Sequence, residues 1–142
     1  HSRTAQQPVW LAEGLATMFE APGVYRGDAH RQLSDRINRQ RLDRLRKRTS
    51  GGNSRGTVER LVGSDELFRS DPDLAYAASW ALSFYLAERM PRQYCDLLAK
   101  TAARPSLKTY SRAQRLADFK STVGDNLPML EVQMLRFIDE LP

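Results

Sequence analysis

The sequence predicts an all-α protein, an irregular bundle of about six helices around one buried central helix from Leu74 to Met90. Apolar residues recur at helical spacing through most of the chain, and no alternating run is long enough to indicate a β-sheet. Prolines at 8, 72, 91 and 128 stand where the first turn of a helix accepts proline. At 142 residues the chain corresponds to a single helical domain or subdomain over 1–142.

The first third of the chain predicts two helices and a loop. A helix begins near Pro8, runs to about residue 20 and ends at the Ala-Pro-Gly sequence of 21–23. A second helix is expected over 32–47. It has a narrow apolar stripe formed by Leu33, Ile37, Leu42 and Leu45. The small residues of 49–56 indicate a mobile loop, and a short helix over 58–62 follows it.

The central helix has strong start signals. Asp71 is a good N-cap residue, and Pro72 fits the first helical position. From Leu74 to Met90 the helix is apolar on nearly every side, which is typical of a helix in the middle of a bundle. Further helices are expected from Pro91 through Leu98, over 111–123 and over 127–141.

Composition sets few limits on function. The net charge of +5 permits an acidic partner without requiring one. The single cysteine, Cys95, excludes an internal disulfide, and its apolar neighbours predict a buried thiol. No signal peptide or membrane span is recognisable. Because the chain begins with a histidine, we expect it to be a fragment of a longer parent.

The opening helix carries the most informative pattern. With about 100° per residue, Glu13, Thr17 and Glu20 form one polar stripe. The opposite, apolar face contains Leu11, Leu15, Met18 and Phe19. A solvated acidic face is the simplest interpretation of this stripe. However, Gly14 inside a helix costs about 1 kcal/mol relative to alanine, which indicates close packing beside Glu13.

This segment resembles a known type of metal-binding helix. The sequence Trp-Leu-Ala-Glu-Gly-Leu-Ala at 10–16, followed by Phe-Glu at 19–20, is similar to the second metal-binding helix of gluzincin zinc metallopeptidases. It looks most like the peptidase-MA-like bacterial domains, many of which are described only as domains of unknown function. The resemblance implies that Glu13 is the third zinc ligand. Three protein ligands leave a fourth position on zinc open for water.

The likeness extends along the chain with less specific segments. Residues 37–42 look like an Asn-x-x-Arg-Leu segment of these domains, and 76–86 resemble their aromatic-rich central helix. Residues 119–130 resemble their closing pattern. Gluzincins often use a tyrosine or histidine to stabilise the oxyanion of peptide hydrolysis. Tyr76 is a candidate for that role, with core packing as the alternative.

One half of such a site is absent from the sequence. The family's His-Glu-x-x-His motif, which supplies two zinc ligands and the residue that activates water, does not occur here; the chain's histidines are His1 and His30. We therefore expect zinc and hydrolysis of peptides or proteins in the parent, and neither stable zinc nor activity in this fragment alone. The resemblance also weakly favours an extracytoplasmic location.

The alternative function depends on a basic segment. Residues 31–60 contain ten Arg or Lys against three acidic residues, so the positive charge is local. A noncatalytic helical binding module would make contact through this segment. Its candidate contact residues are Arg39, Arg41, Arg44, Arg46, Lys47 and Arg48. The competing interpretation is that the arginines pair locally with Asp35 and Asp43. Nucleic acid is a disfavoured partner because the segment has no aromatic residues for base stacking.

Truncation also predicts self-association. A face that meets another helix in the parent would be exposed in the fragment, together with Val9, Trp10 or Leu11 at its edge. Exposed apolar surface of this kind favours association. We therefore expect a homodimer through the opening helix.

Overall fold

The computed structural model describes residues 7–21, 24, 32–52, 55–105 and 107–142. Within these ranges the chain forms eight α-helices, one 3₁₀ helix and no strand, which confirms the all-α prediction. The elements are α1 Val9–Met18, the 3₁₀ helix Leu33–Arg36, α2 Arg39–Thr49, α3 Thr57–Gly63, α4 Glu66–Ser70, α5 Pro72–Arg89, α6 Pro91–Ala102, α7 Arg112–Thr122 and α8 Leu127–Asp139. None of these helices is long and apolar enough to cross a membrane.

Helix α5 is the centre of the bundle, as the sequence predicts. Asp71 caps it by accepting a hydrogen bond from the Leu74 N–H at 3.4 Å, and Pro72 occupies its first turn. Every residue over 77–86 is buried. Helices α1, α2, α3, α4, α6 and α8 all pack against α5. A helix with neighbours on so many sides needs apolar or small residues all round.

The second predicted helix is divided in the structure. Ile37 is extended, with φ −80° and ψ 129°, and separates the 3₁₀ helix from α2. Asn38 then caps α2 by accepting a hydrogen bond from the Arg41 N–H at 3.2 Å. The apolar stripe conceals this break, because Ile37 is buried just as a helical residue would be. Of the predicted loop over 49–56, residue 49 ends α2, and residues 53 and 54 lie outside the described ranges.

The buried face of α1 differs from the predicted one. Its buried residues are Trp10, Leu11, Gly14 and Thr17, whereas Phe19 is 56% exposed. The centre of the buried face is therefore rotated by about 90° from the predicted apolar face, towards Gly14. Side-chain hydrophobicity alone gave the wrong face, because the closest contact of α1 is made at a residue that has no side chain.

Gly14 lies against two serines of the central helix. A Cβ atom added to Gly14 would be 2.1 Å from Ser83 Oγ and 2.6 Å from the Ser79 carbonyl oxygen. Real Cβ contacts are never this short, so any side chain at residue 14 would force α1 and α5 apart. The glycine therefore sets the distance between the two helices.

The N-terminal end of α1 is held by a charged network. The Val9 N–H donates to Asp65 Oδ1 at 3.1 Å, and the same oxygen accepts from Arg115 Nη2 at 3.0 Å. Arg115 is buried and also donates through Nε to the Val62 carbonyl at 2.9 Å. Asp65 thereby satisfies a free N–H group at the start of α1 that the helix cannot satisfy itself.

Two predictions of exposure and burial are wrong. Trp10 and Leu11 were expected at an exposed edge, but they are 1% and 0% exposed, and the Trp10 ring packs edge-on against Phe119 at 6.0 Å. Cys95 was expected to be buried, but it is exposed. It follows Tyr94, which lies on the buried face of α6, so its side chain points about 100° away from that face.

The contact at Gly14 yields a stability prediction. We expect Gly14→Ala to cost close to the upper end of the ~1–3 kcal/mol of an overpacked core, because the Ser79 carbonyl belongs to the helix backbone and cannot swing away. This outweighs the roughly 1 kcal/mol that alanine gains in a helix. The free energy of unfolding, measured by urea denaturation, should fall by about 2 kcal/mol.

Gly63→Ala is the matched control. A Cβ at Gly63 would also be too close to a neighbour, 2.4 Å from Arg112 Nη1, but that atom is the end of a flexible side chain. We expect this variant to stay within about 1 kcal/mol of the wild type. Equal stability of Gly14→Ala and wild type would show that α1 and α5 are not held at this distance.

Candidate functional site

Glu13 lies at the border of the buried face of α1. It is half-buried and forms no hydrogen bond or ion pair with any residue in the described ranges. It stands about 100° from Gly14 around the helix. On the side of α1 that faces away from Gly14, Ala16 and Phe19 are exposed and Leu15 is half-buried. The helix therefore presents an unpaired carboxylate next to its closest contact with α5.

The predicted polar stripe does not behave as one surface. Thr17 is buried, with its Oγ1 donating to the Gly14 carbonyl at 2.9 Å. Glu20 has a side chain that is 53% exposed, and its Oε1 accepts a hydrogen bond from Asn38 Nδ2 at 2.9 Å. The stripe is thus not a uniformly solvated acidic face. Of its three residues, Glu13 is the one without a partner in the described part of the chain.

Asn38 joins the end of α1 to the start of α2. Its side-chain oxygen caps α2, and its Nδ2 donates both to the Thr17 carbonyl at 2.8 Å and to Glu20. The Asn38 side chain is buried, and so is its bond to the Thr17 carbonyl. The Asn-x-x-Arg-Leu segment that resembles the peptidase-like domains therefore has a structural role at the C-terminal end of α1.

Arg41 and Tyr76 meet in the corner beside Glu20. The guanidinium carbon of Arg41 lies 5.5 Å from the centroid of the Tyr76 ring, and Arg41 Nε lies 3.9 Å from Glu20 Oε1. Tyr76 is half-buried and also packs edge-on against Phe68 at 5.1 Å. Tyr76 thus combines the predicted packing role with a contact to a charged group. Its role in oxyanion stabilisation stays a prediction.

A cavity of about 390 Å³ opens at the same corner. It is lined by Glu20, Ala21, Asn38, Arg39, Gln40 and Arg41. The cavity begins where α1 ends, on the side of the helix that carries Glu20. It is therefore the concave surface adjoining the Glu13 helix at its C-terminal end.

Most arginines of the basic segment are engaged within the fold. Arg44 pairs with Asp73, and Arg48 pairs with Asp71 at 2.9 Å through Nη1. The hydrogen bond from Arg48 lowers the pKa of Asp71, and the one from Arg44 lowers the pKa of Asp73. These partners lie at the start of α5, not at the expected Asp35 and Asp43. The chain thereby uses its local positive charge to attach α2 to the central helix.

Two further candidate contact residues bind the C-terminal end of the chain, and a third is exposed to solvent. Arg46 Nη2 donates to the Ile138 and Leu141 carbonyls at 3.0 and 2.9 Å, and Arg39 donates to the Pro142 carbonyl. Lys47 is exposed and has no acidic partner in the ranges that the structure covers. Of the candidate contact residues, Arg39, Arg44, Arg46 and Arg48 are thus engaged with other groups of the chain, whereas Lys47 is available to bind another molecule.

A metal site at Glu13 would need further donors. No group of three His, Cys, Asp or Glu residues close enough to hold a metal ion occurs in the described ranges. His1 and His30 both lie outside these ranges. A carboxylate oxygen is a suitable zinc donor, so Glu13 fits the role of one ligand in a set completed from elsewhere.

The fold and this arrangement define an all-α domain in which Glu13 lies, without a partner in the described ranges, on a helix held at both ends. The chain belongs to the family described as protein of unknown function (DUF1570), whose profile matches residues 1–108. The match includes α1, the Asn38 and Arg41 segment and all of α5 and α6, but it ends before 119–130. No curated protein and no solved structure matches the chain.

Sequence reasoning missed the residues that position Glu13. Ser79 and Ser83 interrupt an otherwise apolar stretch of α5 at a spacing of one helical turn, so they share a face. Together with Gly14 they were a visible signal of close helix packing. The roles of Asp65 and Arg115 had no such signal, because Arg115 reaches Asp65 from a helix 50 residues further along the chain.

The role of Asn38 is testable by stability. Asn38→Ala should lower the free energy of unfolding by about 2–3 kcal/mol, because it removes a helix cap worth about 1 kcal/mol and two further hydrogen bonds. Asn126→Ala is the control, since Asn126 caps α8 through the Met129 N–H and its side chain is exposed. It should cost about 1 kcal/mol. Equal losses in urea denaturation would show that Asn38 is only a cap.

Proposed function

We propose that this chain is the C-terminal helical part of a gluzincin-like zinc metallopeptidase domain, with Glu13 as a zinc ligand. The hydrolysed bond would be a peptide bond in a peptide or protein substrate of the parent. The observation that carries the proposal is the unpaired, half-buried carboxylate of Glu13 beside Gly14. It agrees with the resemblance of residues 10–20 to the second metal-binding helix of these enzymes.

The anchoring of α1 supports this role. A metal ligand must be held close to its productive geometry by residues that are themselves fixed. Asp65 holds the start of α1, Gly14 sets its distance from α5, and Asn38 holds its end. Glu13 lies between these attachments and takes part in none of them. Its carboxylate is therefore held in position and remains free to bind a ligand.

The open face of α1 provides further support. Phe19 is 56% exposed, and Leu15 is half-buried on the same side of the helix. Leu15 and Phe19 are four residues apart and therefore neighbours on the helix surface, and a continuous apolar surface is one that another element can cover. We propose that a segment outside this chain, carrying the His-Glu-x-x-His motif, packs there and completes the ligand set. Bound zinc would supply a Lewis acid and lower the pKa of its bound water.

The alternative function, a noncatalytic binding module that uses the basic segment, has less support. Arg44 and Arg48 pair with carboxylates, and Arg46 binds backbone carbonyls. An external anion would have to compete with these contacts. A homodimer through α1 stays a prediction, but it now depends on Phe19, since Trp10 and Leu11 are buried.

The ligand assignment can be tested in the full-length protein. We expect Glu13→Gln to weaken zinc binding by more than the roughly 10–100-fold that loss of an outer-shell partner costs, because a neutral amide replaces a direct ligand. Zinc content after dialysis against a range of chelator concentrations, measured by plasma mass spectrometry, reports this change.

Glu20→Gln serves as the matched control. Glu20 lies on nearly the same side of α1, but its carboxylate is bonded to Asn38, so zinc binding should remain within a few-fold of wild type. Unchanged zinc affinity in Glu13→Gln would exclude Glu13 as a ligand. Absence of zinc from the full-length wild-type protein would contradict the proposed function as a whole.

A further inference from the structure

Arg41 differs from the other arginines of α2 in having no hydrogen-bond acceptor for its guanidinium within the described ranges. Its side chain is only 21% exposed, and its Nε is fully buried without a partner. The nearest carboxylate oxygen, Glu20 Oε1, is 3.9 Å from Nε, which is too far for a hydrogen bond. Arg41 therefore has an ion-pair partner in Glu20 but no hydrogen-bond acceptor, and a largely buried N–H group without an acceptor costs free energy.

The Tyr76 ring contacts this guanidinium. The guanidinium carbon of Arg41 lies 5.5 Å from the Tyr76 ring centroid, and Tyr76 itself packs edge-on against Phe68 with 5.1 Å between the ring centroids. A cation–π contact orients the planar guanidinium and leaves the N–H groups at its edge free. Arg41 is therefore a fixed donor group, not a mobile surface arginine.

The adjoining cavity is large enough for a small ligand, and its lining is mostly polar or charged. Its volume of about 390 Å³ falls within the roughly 300–1,000 Å³ of small-molecule pockets. The Glu20 carboxylate, bonded to Asn38 Nδ2, stands at its edge on a side chain that is 53% exposed. The corner thus already accepts a carboxylate, and a planar guanidinium recognises carboxylates through paired hydrogen bonds.

The position of the cavity relates it to Glu13. Glu20 lies two residues beyond the end of α1, in a turn where its N–H bonds to the Thr17 carbonyl at 3.2 Å. Because this turn continues in the direction of the helix, Glu20 lies about 10 Å beyond Glu13 along α1. An extended peptide covers about 3.3 Å per residue. A peptide lying along α1 with its reacting bond near Glu13 would therefore reach the cavity with a group about three residues away.

We propose that the cavity beside Arg41 binds a carboxylate of the peptide substrate and that Arg41 determines this specificity. The identity of the ligand as a substrate rests on the proposed function, whereas carboxylate binding itself is a property of this chain. The carboxylate belongs either to the C-terminus of the substrate or to an acidic side chain about three residues from the cleaved bond.

Carboxylate binding is tested first on the 142-residue chain by NMR. N-acetylglycine should produce saturable shifts of the Arg41 Nε–H and of the amides of 38–41, whereas the neutral N-acetylglycinamide should not. Arg41→Gln should abolish the amide shifts. Arg41→Lys should retain weaker binding, because it keeps the charge and loses the planar fork. Arg44→Gln is the control and should bind as wild type does, since Arg44 pairs with Asp73.

Two results of this titration would overturn carboxylate binding. One is equal shifts with the acid and the amide, which would indicate an unspecific cavity. The other is unchanged binding of N-acetylglycine by both Arg41 variants, with their fold verified from the rest of the amide spectrum. Because the probe needs no metal, both results are independent of the proposed peptidase function.

The full-length protein distinguishes the two sources of the carboxylate. Two pairs of peptides are compared. The members of the first pair differ in having a C-terminal acid or a C-terminal amide. The members of the second pair differ in having glutamate or glutamine three residues from the cleaved bond. Arg41→Gln should lower kcat/KM about tenfold or more for the carboxylate member of one pair only. Equal kcat/KM within both pairs refutes the inference while the peptidase function stands. No hydrolysis of any peptide refutes the peptidase function, and the NMR result then decides carboxylate binding alone.

Discussion

The structure depends on the close approach of α1 to the central helix at Gly14. Ser79 and Ser83 of α5 leave room for a backbone but not for a side chain at this point. The short distance brings Trp10 and Leu11 into the core and turns the buried face of α1 towards Gly14. The accessibility of Glu13 follows from this placement, because the orientation of α1 decides which of its side chains are buried.

The same placement explains why Glu13 is available for chemistry. Adjacent helical residues point about 100° apart. Because Gly14 is at the closest contact between α1 and α5, Glu13 lies at the edge of that interface. Glu13 is thereby half-buried and held on a fixed backbone, yet it faces no partner in the described part of the chain. Asp65 and Asn38 remove the freedom of the helix ends, and the Tyr76 ring, packed against Phe68, contacts Arg41 nearby.

Local signals predicted the fold class, and non-local contacts limited the prediction of the site. The N-cap Asp71, Pro72 and the apolar residues of α5 act within one helix, so the sequence indicated the central helix correctly. The break at Ile37 was missed because its burial mimics a helical stripe. Gly14 was recognised as unusual, but the helix that it contacts could not be inferred, because the contact with Ser83 spans much of the chain. The engagement of Arg44 and Arg48 with α5 was hidden for the same reason.

We propose that α1 holds Glu13 as a metal ligand. The most direct measurement is an anomalous difference map at the zinc edge from crystals of the full-length protein. We expect a zinc ion with a Glu13 carboxylate oxygen at about 2.0–2.2 Å. A zinc ion bound elsewhere, with the Glu13 carboxylate engaged instead in a hydrogen bond or ion pair of the protein, would contradict it.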